Sequence, residues 1–167
     1  MRIPRFYYHA PGSMEELSQL FKDLKEDAKL LAGGTDLLVR MKERLITPTH
    51  LISLSNIKGM DEYAYDDKNG LVLGAGVNLS SLSQHPIVLE KYPALAKAAS
   101  MVATHQIRNM ATIGGNIFQN TRCLYYNRSF LWGKAVIPCF KRGGNICHVV
   151  ENSKRCFAVY QGDLAPV

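Results

Sequence analysis

A short apolar run, two glycines and the start of an amphipathic segment follow one another between Leu30 and Leu38, with the sequence LLAGGTDLL. This order predicts a buried strand over Lys29–Ala32, a turn at the glycine pair and a helix that begins near Thr35. Glycines at such a turn allow backbone N–H groups to surround a phosphate. The stretch lacks the GxGxxG and P-loop patterns, and a purely structural turn is the simpler explanation of this loop alone.

A second glycine pair lies in the sequence ATIGGNI, from Ala111 to Ile117, with a hydroxyl side chain before it and an amide after it. One loop of this kind holds one phosphate group, whereas two of them clamp a pyrophosphate from both sides. Together the two loops therefore predict a site for an extended dinucleotide more strongly than either does alone. A third glycine motif, LVLGAGVN, is interpreted as the end of a structural strand.

Strands and helices alternate along the chain without a strict period, which predicts an α+β fold rather than a doubly wound sheet. Ser13 is the predicted N-cap of an amphipathic helix, because Glu16 follows three residues later as in a capping box. A hairpin is predicted around DDKNG at 66–70, and two helical pieces are separated near Pro86 and Pro93. Further strands are predicted in RFYYHA and THLISL.

All four cysteines lie between Thr121 and Tyr160, a stretch with seven Lys or Arg and a single acid, which therefore carries the whole net charge of +6. Their spacing, C-x15-C-x7-C-x8-C, lacks the paired knuckles of structural zinc sites and the spacing of ferredoxins. Spacing alone leaves a metal or cluster site and four separate buried thiols equally open. The positive charge of the stretch favours an anionic metal site over four separate thiols. Four thiolates around zinc or a 4Fe–4S core leave a net charge of about −2, which the surrounding basic residues would compensate.

Length and composition predict one globular domain, for a chain of 167 residues without an apolar run of membrane-spanning length or a signal-peptide core. The lack of an export signal predicts a cytoplasmic location, where clustered cysteines more often bind metal than form disulfides. The lack of a spanning segment predicts no membrane partner, and the balanced charge outside the cysteine segment predicts no nucleic-acid partner. Residues 121–157 are predicted to be a loop-rich insertion, because helical periodicity disappears there. The domain is predicted to occupy 1–120 and to resume at 158–167, ending where Asp163 would cap a further helix.

The motifs LAGGTDLL, IRNMATIGGNI and GDLAP, in this order and separation, resemble the FAD-binding subunit of the molybdenum hydroxylase family, which includes subunits of xanthine and carbon monoxide dehydrogenases. The resemblance implies a non-Rossmann FAD-binding domain of that family's type. It also implies that the two glycine loops cradle the FAD pyrophosphate and that a downstream aspartate contacts the ribityl chain. The FAD-binding residues so implied are Leu31, Ala32, Gly33, Gly34, Thr35, Asp36, Leu37, Thr112, Ile113, Gly114, Gly115, Asn116 and Asp163.

The segments NTRCLYYNRS and ICHVV are similar to one branch of that family, the β subunit of 4-hydroxybenzoyl-CoA reductase, which carries a 4Fe–4S insertion at this place. This resemblance implies cluster ligation by Cys123, Cys139, Cys147 and Cys156. It implies electron transfer between the 4Fe–4S cluster, FAD and the 2Fe–2S centres of a partner subunit, with substrate reacting on a molybdenum-cofactor subunit and ferredoxin as a donor. Family members continue beyond the position of Val167, so the resemblance also implies a missing C-terminal part.

An alternative from another functional class is a zinc-stabilised basic module that binds nucleic acid or an acidic partner. That alternative predicts bound zinc and salt-sensitive binding of polyanions. The aromatic residues Tyr125 and Trp132 are predicted to cover the metal-binding loop.

Overall fold

A three-stranded parallel sheet forms the first layer of the computed structural model, which describes residues 2–158 and 162–167. Its strand order is β1–β3–β2, and the strands are β1 Tyr7–His9, β2 Ala28–Leu31 and β3 His50–Ser53. The central strand β3 places Leu51 and Ile52 in full burial, as expected for a parallel strand covered on both faces. In register, Ala28 lies opposite His50 and Leu31 opposite Ser53, so β2 delivers the first glycine loop to one end of the sheet.

The first helix, α1 (Met14–Leu24), connects β1 with β2 and begins where the capping pattern predicts. The Ser13 hydroxyl accepts a hydrogen bond from the Glu16 N–H, and the Glu16 carboxylate accepts one from the Gly12 N–H, 2.8 Å away. The helix buries Leu17 against Ile52 and two other core residues, Ala28 and Ile57. The prediction of a capped amphipathic helix is confirmed.

An antiparallel hairpin, β4 (Tyr63–Asp66) and β5 (Gly70–Leu73), follows the sheet and confirms the prediction around 66–70. Its turn is stabilised by Asp66, whose carboxylate accepts hydrogen bonds from the Asn69 side chain and from two backbone N–H groups. These bonds, the Asn69 side-chain bond above all, lower the pKa of Asp66. Gly70 closes the turn at φ +76°, a left-handed conformation that glycine adopts without steric cost.

A second layer consists of short helices that enclose the larger hydrophobic core. The helices are α2 Leu37–Lys42, α3 Leu79–Gln84, α4 Pro86–Lys91, α5 Pro93–Met101, α6 His105–Met110 and α7 Ile113–Ile117. Pro86 and Pro93 occupy the first positions of α4 and α5, which confirms the predicted breaks. The core comprises Val77, Leu79, Leu82, Val88, Ala96, Ala99, Ala111, Ile113 and Leu164. Leu164 therefore anchors the last described segment in the same core as the second glycine loop.

The cysteine segment contains more regular structure than its sequence predicts. A helix, α8 (Phe130–Ala135), is capped by the Ser129 hydroxyl, and a 3-10 turn follows at Phe140–Arg142. Of the predicted resumption of the domain at 158–167, residues 159–161 lie outside the described residues. None of the helices in the described ranges is long and apolar enough to cross a membrane.

Replacement of Leu82 by alanine is expected to lower the free energy of unfolding by about 2–5 kcal/mol, because its fully buried side chain would leave a cavity. Leu89→Ala is the matched control, since that leucine is 52% exposed and its loss should change stability little. Chemical denaturation of both variants measures the difference. Equal stability of the two variants would contradict the assigned core.

Candidate functional site

The first glycine loop connects β2 with α2, and its two glycines have different structural requirements. Gly34 has φ +71°, a left-handed conformation that other residues adopt at a cost. A Cβ at Gly33 would overlap the carbonyl oxygen of Met110, so this glycine permits direct backbone contact with the residue before Ala111. The loop therefore lies against the chain that leads into the second glycine pair. The helix α2 begins at Leu37, two residues later than predicted.

The N–H groups of this loop are not used within the described part of the protein. Five successive backbone N–H groups, those of Gly33, Gly34, Thr35, Asp36 and Leu37, donate no hydrogen bond to any residue among 2–158 and 162–167. Successive N–H groups beside a left-handed residue form a concave site that favours anions. The loop thus has the donors that a phosphate requires.

The second glycine pair lies in the first turn of α7 rather than in an open turn, so the predicted turn is wrong. The Thr112 hydroxyl caps this helix and accepts a hydrogen bond from the Gly115 N–H, 3.1 Å away. The Gly114 N–H donates to the carbonyl of Ala75 at 2.9 Å, and the Asn116 N–H donates to that of Thr112. Because these N–H groups are occupied, the second loop does not present free donors to a ligand, as the first loop does. A Cβ at Gly114 would lie 2.8 Å from the Ala75 carbonyl oxygen, so this glycine allows the second loop to pack against Ala75.

The GDLAP segment, residues 162–166, packs directly on the second loop through Asn116. One oxygen of the Asp163 carboxylate accepts hydrogen bonds from the Asn116 side chain at 2.9 Å and from the Gln119 side chain at 3.1 Å. The Asn116 side-chain oxygen accepts one from the Leu164 N–H. A Cβ at Gly162 would overlap the Asn116 carbonyl. The structure therefore brings together Asn116 and Asp163, two residues that the sequence predicted for one site.

Arg122 extends this network to the first glycine loop. Its guanidinium donates to the Gln119 side-chain oxygen and lies 3.4 Å from the carboxylate of Asp36. Arg122 belongs to the basic cysteine segment, and Gln119 was not predicted as a site residue. Gln119 lies beyond the end of α7 at Ile117, so its contact with Asp163 is a tertiary one that no local pattern indicated. Polar side chains thus join the first glycine loop, the second glycine loop and the GDLAP segment.

The four cysteines are free thiols that line one cavity of about 630 Å³. A turn that contains the left-handed Gly143 places Cys139 beside Ile146, the neighbour of Cys147, in an isolated parallel bridge. The Val150 N–H donates to the Cys147 sulfur at 3.3 Å. Within the described residues, no three His, Cys, Asp or Glu side chains are grouped closely enough to hold a metal ion. The cysteines therefore line one cavity, but their sulfur atoms are not grouped closely enough in this structure to bind one metal ion.

Aromatic side chains cover this cysteine cavity on one side. Tyr125 stacks on His148 with ring centroids 4.9 Å apart, and its ring lies 5.9 Å from that of Trp132. The His148 Nε2 is 2.8 Å from the carbonyl oxygen of Ile137, so this imidazole bonds to backbone. Tyr125 lines the cysteine cavity as predicted, whereas Trp132 contacts Tyr125 but lines a second cavity instead, so the prediction for Trp132 is wrong.

Comparisons with known proteins agree on one family. Residues 4–167 match the FAD binding domain in molybdopterin dehydrogenase. The carbon monoxide dehydrogenase medium chain of Hydrogenophaga pseudoflava is 44% identical over 117 residues, which cover 68% of this chain and 39% of that protein. The aldehyde oxidoreductase FAD-binding subunit PaoB of Escherichia coli is 37% identical over 149 residues, or 83% of this chain and 45% of that protein.

Solved structures show the same likeness. Carbon monoxide dehydrogenase from Hydrogenophaga pseudoflava matches with a TM-score of 0.66 and 43% identity, over 70% of this chain and 40% of that one. Quinoline 2-oxidoreductase from Pseudomonas putida matches with a TM-score of 0.68 and 33% identity, over 72% and 42%. The predicted α+β fold is confirmed. The chain spans less than half the length of these relatives.

The contact at Gly33 gives a testable consequence for the site. Gly33→Ala is expected to lower the free energy of unfolding by about 1–3 kcal/mol, because the new methyl group must displace the Met110 carbonyl. Gly12→Ala is the matched control, since nothing lies within 4 Å of a Cβ there. Thermal or chemical unfolding compares the two. A Gly33 variant as stable as the Gly12 variant would show that the loops are not in contact.

Proposed function

Since this chain belongs to the family of FAD-binding domains in molybdopterin dehydrogenases, we propose that it binds FAD and transfers electrons within an oxidoreductase of that family. The observation that carries the proposal is the run of five unused N–H groups at Gly33–Leu37, beside the left-handed Gly34. These donors suit a pyrophosphate, which carries negative charge and accepts several hydrogen bonds. When bound, FAD would supply the exchange between two-electron and one-electron transfers.

The proposed FAD residues have distinct roles in this arrangement. The first loop, Leu31–Leu37, would donate its N–H groups to the pyrophosphate. The second loop, Thr112–Asn116, would contact the pyrophosphate from the other side without donating the N–H groups of its glycines, which are occupied within the protein. Asp163 would face the ribityl chain, held in orientation by Asn116 and Gln119.

We also propose that residues 121–157 form an insertion that holds a 4Fe–4S cluster through Cys123, Cys139, Cys147 and Cys156. Four free thiols in one cavity support the proposal, and its volume of about 630 Å³ is within the roughly 300–1,000 Å³ of cofactor sites. The N–H that donates to Cys147 and the Lys141 side chain in the cavity wall suit an anionic cluster. The sulfurs would close around the cluster on binding. When bound, it would supply a one-electron relay.

The match to PaoB extends into the cysteine segment. Residues 121–157 make up more than a fifth of the chain, so an alignment covering 83% of it must include part of them. The alignment with the carbon monoxide dehydrogenase medium chain covers only 68%. The remaining residues, 1–120 with 158–167, would form the FAD-binding domain that this insertion interrupts.

The wider complex is proposed from the resemblance of NTRCLYYNRS and ICHVV to the 4-hydroxybenzoyl-CoA reductase branch. A 2Fe–2S subunit would exchange electrons with the flavin, and a molybdenum-cofactor subunit would carry out the substrate chemistry on an aromatic acyl-CoA. Ferredoxin would be the donor, and the cytoplasm the location. The related chains are themselves named as a medium chain and an FAD-binding subunit.

Protein prepared without oxygen is expected to contain about four iron atoms per chain and a broad visible absorption that reductant bleaches. Cys139→Ser and Cys147→Ser should each reduce the iron content and the absorption. Ile137→Ala is a control in the same segment, because its exposed side chain lies outside the cavity. Metal analysis with absorption spectroscopy makes the measurement. Bound zinc, or iron unchanged in both cysteine variants, would refute the cluster and favour the zinc module.

Gly34→Ala is expected to weaken FAD binding about tenfold, because a side chain in the left-handed conformation displaces the N–H groups that contact the pyrophosphate. Gly59→Ala is the matched control, since Gly59 also has a positive φ of +80° and lies outside both glycine loops. Quenching of flavin fluorescence during titration measures both affinities. Undiminished FAD binding by the Gly34 variant would contradict this role of the first loop.

A further inference from the structure

A second cavity, of about 580 Å³, lies between α2 and the cysteine segment. It meets the first glycine loop, because Thr35 and Asp36 belong to both. The rest of its wall includes Arg40 of α2 and, from the cysteine segment, Arg122, Arg128 and Trp132. The second glycine loop and Asp163 do not line it. The cavity is therefore adjacent to the proposed pyrophosphate site but separate from the proposed ribityl contact.

The charges of this cavity favour an anion. The Arg40 side chain makes no hydrogen bond or ion pair with any residue in the described ranges, and its Nε is buried. A buried donor without an acceptor is destabilising, so a bound acceptor would be favoured. The carboxylate of Asp36 compensates the charge of Arg122. The other charged groups of the cavity wall are the guanidinium groups of Arg40 and Arg128 and the carboxylate of Glu43, so one positive charge remains. An anion that reaches Arg40 would neutralise the remaining guanidinium charge.

The cysteine segment contributes a flat aromatic surface to the wall of this cavity. Trp132 lies in α8 and is only partly buried, and the Arg128 guanidinium lies over one face of its ring, 5.3 Å from the centroid. Arg128 is held there by a hydrogen bond from its Nε to the carbonyl of Leu124, at 3.0 Å. Nucleobases stack on indole faces and on guanidinium planes, so this stacked pair is a suitable surface for a base. The cavity thus combines groups for a phosphate with a surface for a base.

We propose that this cavity binds the adenylate half of FAD, with its phosphate between the first glycine loop and Arg40 and its adenine on Trp132. The inference rests on the proposed function, since it requires that the chain bind FAD. A pyrophosphate at Gly33–Leu37 has two ends, and the cavity lies beside this loop at Thr35 and Asp36. The flavin half then extends toward Asn116 and Asp163, which lie outside the cavity. The cysteine segment accordingly supplies part of the FAD site.

Comparison of FAD with FMN tests the proposal directly, because FMN lacks the adenylate half but keeps the isoalloxazine, the ribityl chain and one phosphate. Trp132→Leu and Arg40→Gln are each expected to weaken FAD binding about tenfold and to leave FMN binding unchanged. Trp132→Phe should retain most of the FAD affinity, since it keeps an aromatic face. Arg5→Gln, an exposed arginine outside the cavity, should alter neither flavin. The full chain is titrated and flavin fluorescence is measured.

Each result decides the proposal. Retention of the FAD-to-FMN affinity ratio in both Trp132→Leu and Arg40→Gln would overturn it, as would equal weakening of both flavins. Binding of ADP to FAD-saturated protein would show instead that the cavity is a separate nucleotide site. Failure of the unaltered chain to bind either flavin would refute the proposed function itself. Because Arg40 and Trp132 lie on different elements, loss of fold in one variant leaves the other as the test.

Discussion

The buried side chain of Asn116 is the constraint that holds the glycine-containing motifs in place. Its amide donates to Asp163 and accepts from the Leu164 N–H, thereby joining residues 47 positions apart. Loss of this side chain would leave the buried Leu164 N–H without its acceptor, which is costly, whereas the exposed Asp163 carboxylate would keep its hydrogen bond from Gln119. The entropic cost of closing a loop rises only slowly with its length. This junction can therefore accommodate a long cysteine segment between two motifs that remain in contact.

The basic charge of the cysteine segment is distributed more widely than its sequence suggests. Lys141 lines the cysteine cavity, whereas Arg122 and Arg128 line the cavity beside the first glycine loop. Arg142 lies against Gly133, and Arg155 lies over the ring of Phe157. The positive excess thus serves two neighbouring places that favour anions, and counting charges along the chain does not separate them.

Local patterns predicted those elements whose cause is local. The Ser13 cap, the 66–70 turn and the proline-led helices follow from interactions within a few residues, and the structure contains all of them. The second glycine pair was assigned wrongly, because its conformation depends on the Ala75 carbonyl, a distant acceptor. The partner of Arg122 and the shared cavity of the cysteines also depend on tertiary contacts. The short helix α8 was missed because its Ser129 cap lies among aromatic and basic residues without helical periodicity.

The ion pair between Asp36 and Arg122 has a consequence for cooperativity. It connects the first glycine loop with the start of the cysteine segment, while Gln119 connects the same arginine with Asp163. A ligand that changes the position of Arg122 at one end therefore alters the free energy of ordering the other end. Thermodynamic linkage makes this effect reciprocal, so any factor by which a metal in the cysteine segment strengthens flavin affinity is the factor by which flavin strengthens metal affinity. Because the Arg122 side chain is 63% exposed, the ion pair contributes little free energy on its own, and the linkage that it carries is correspondingly small.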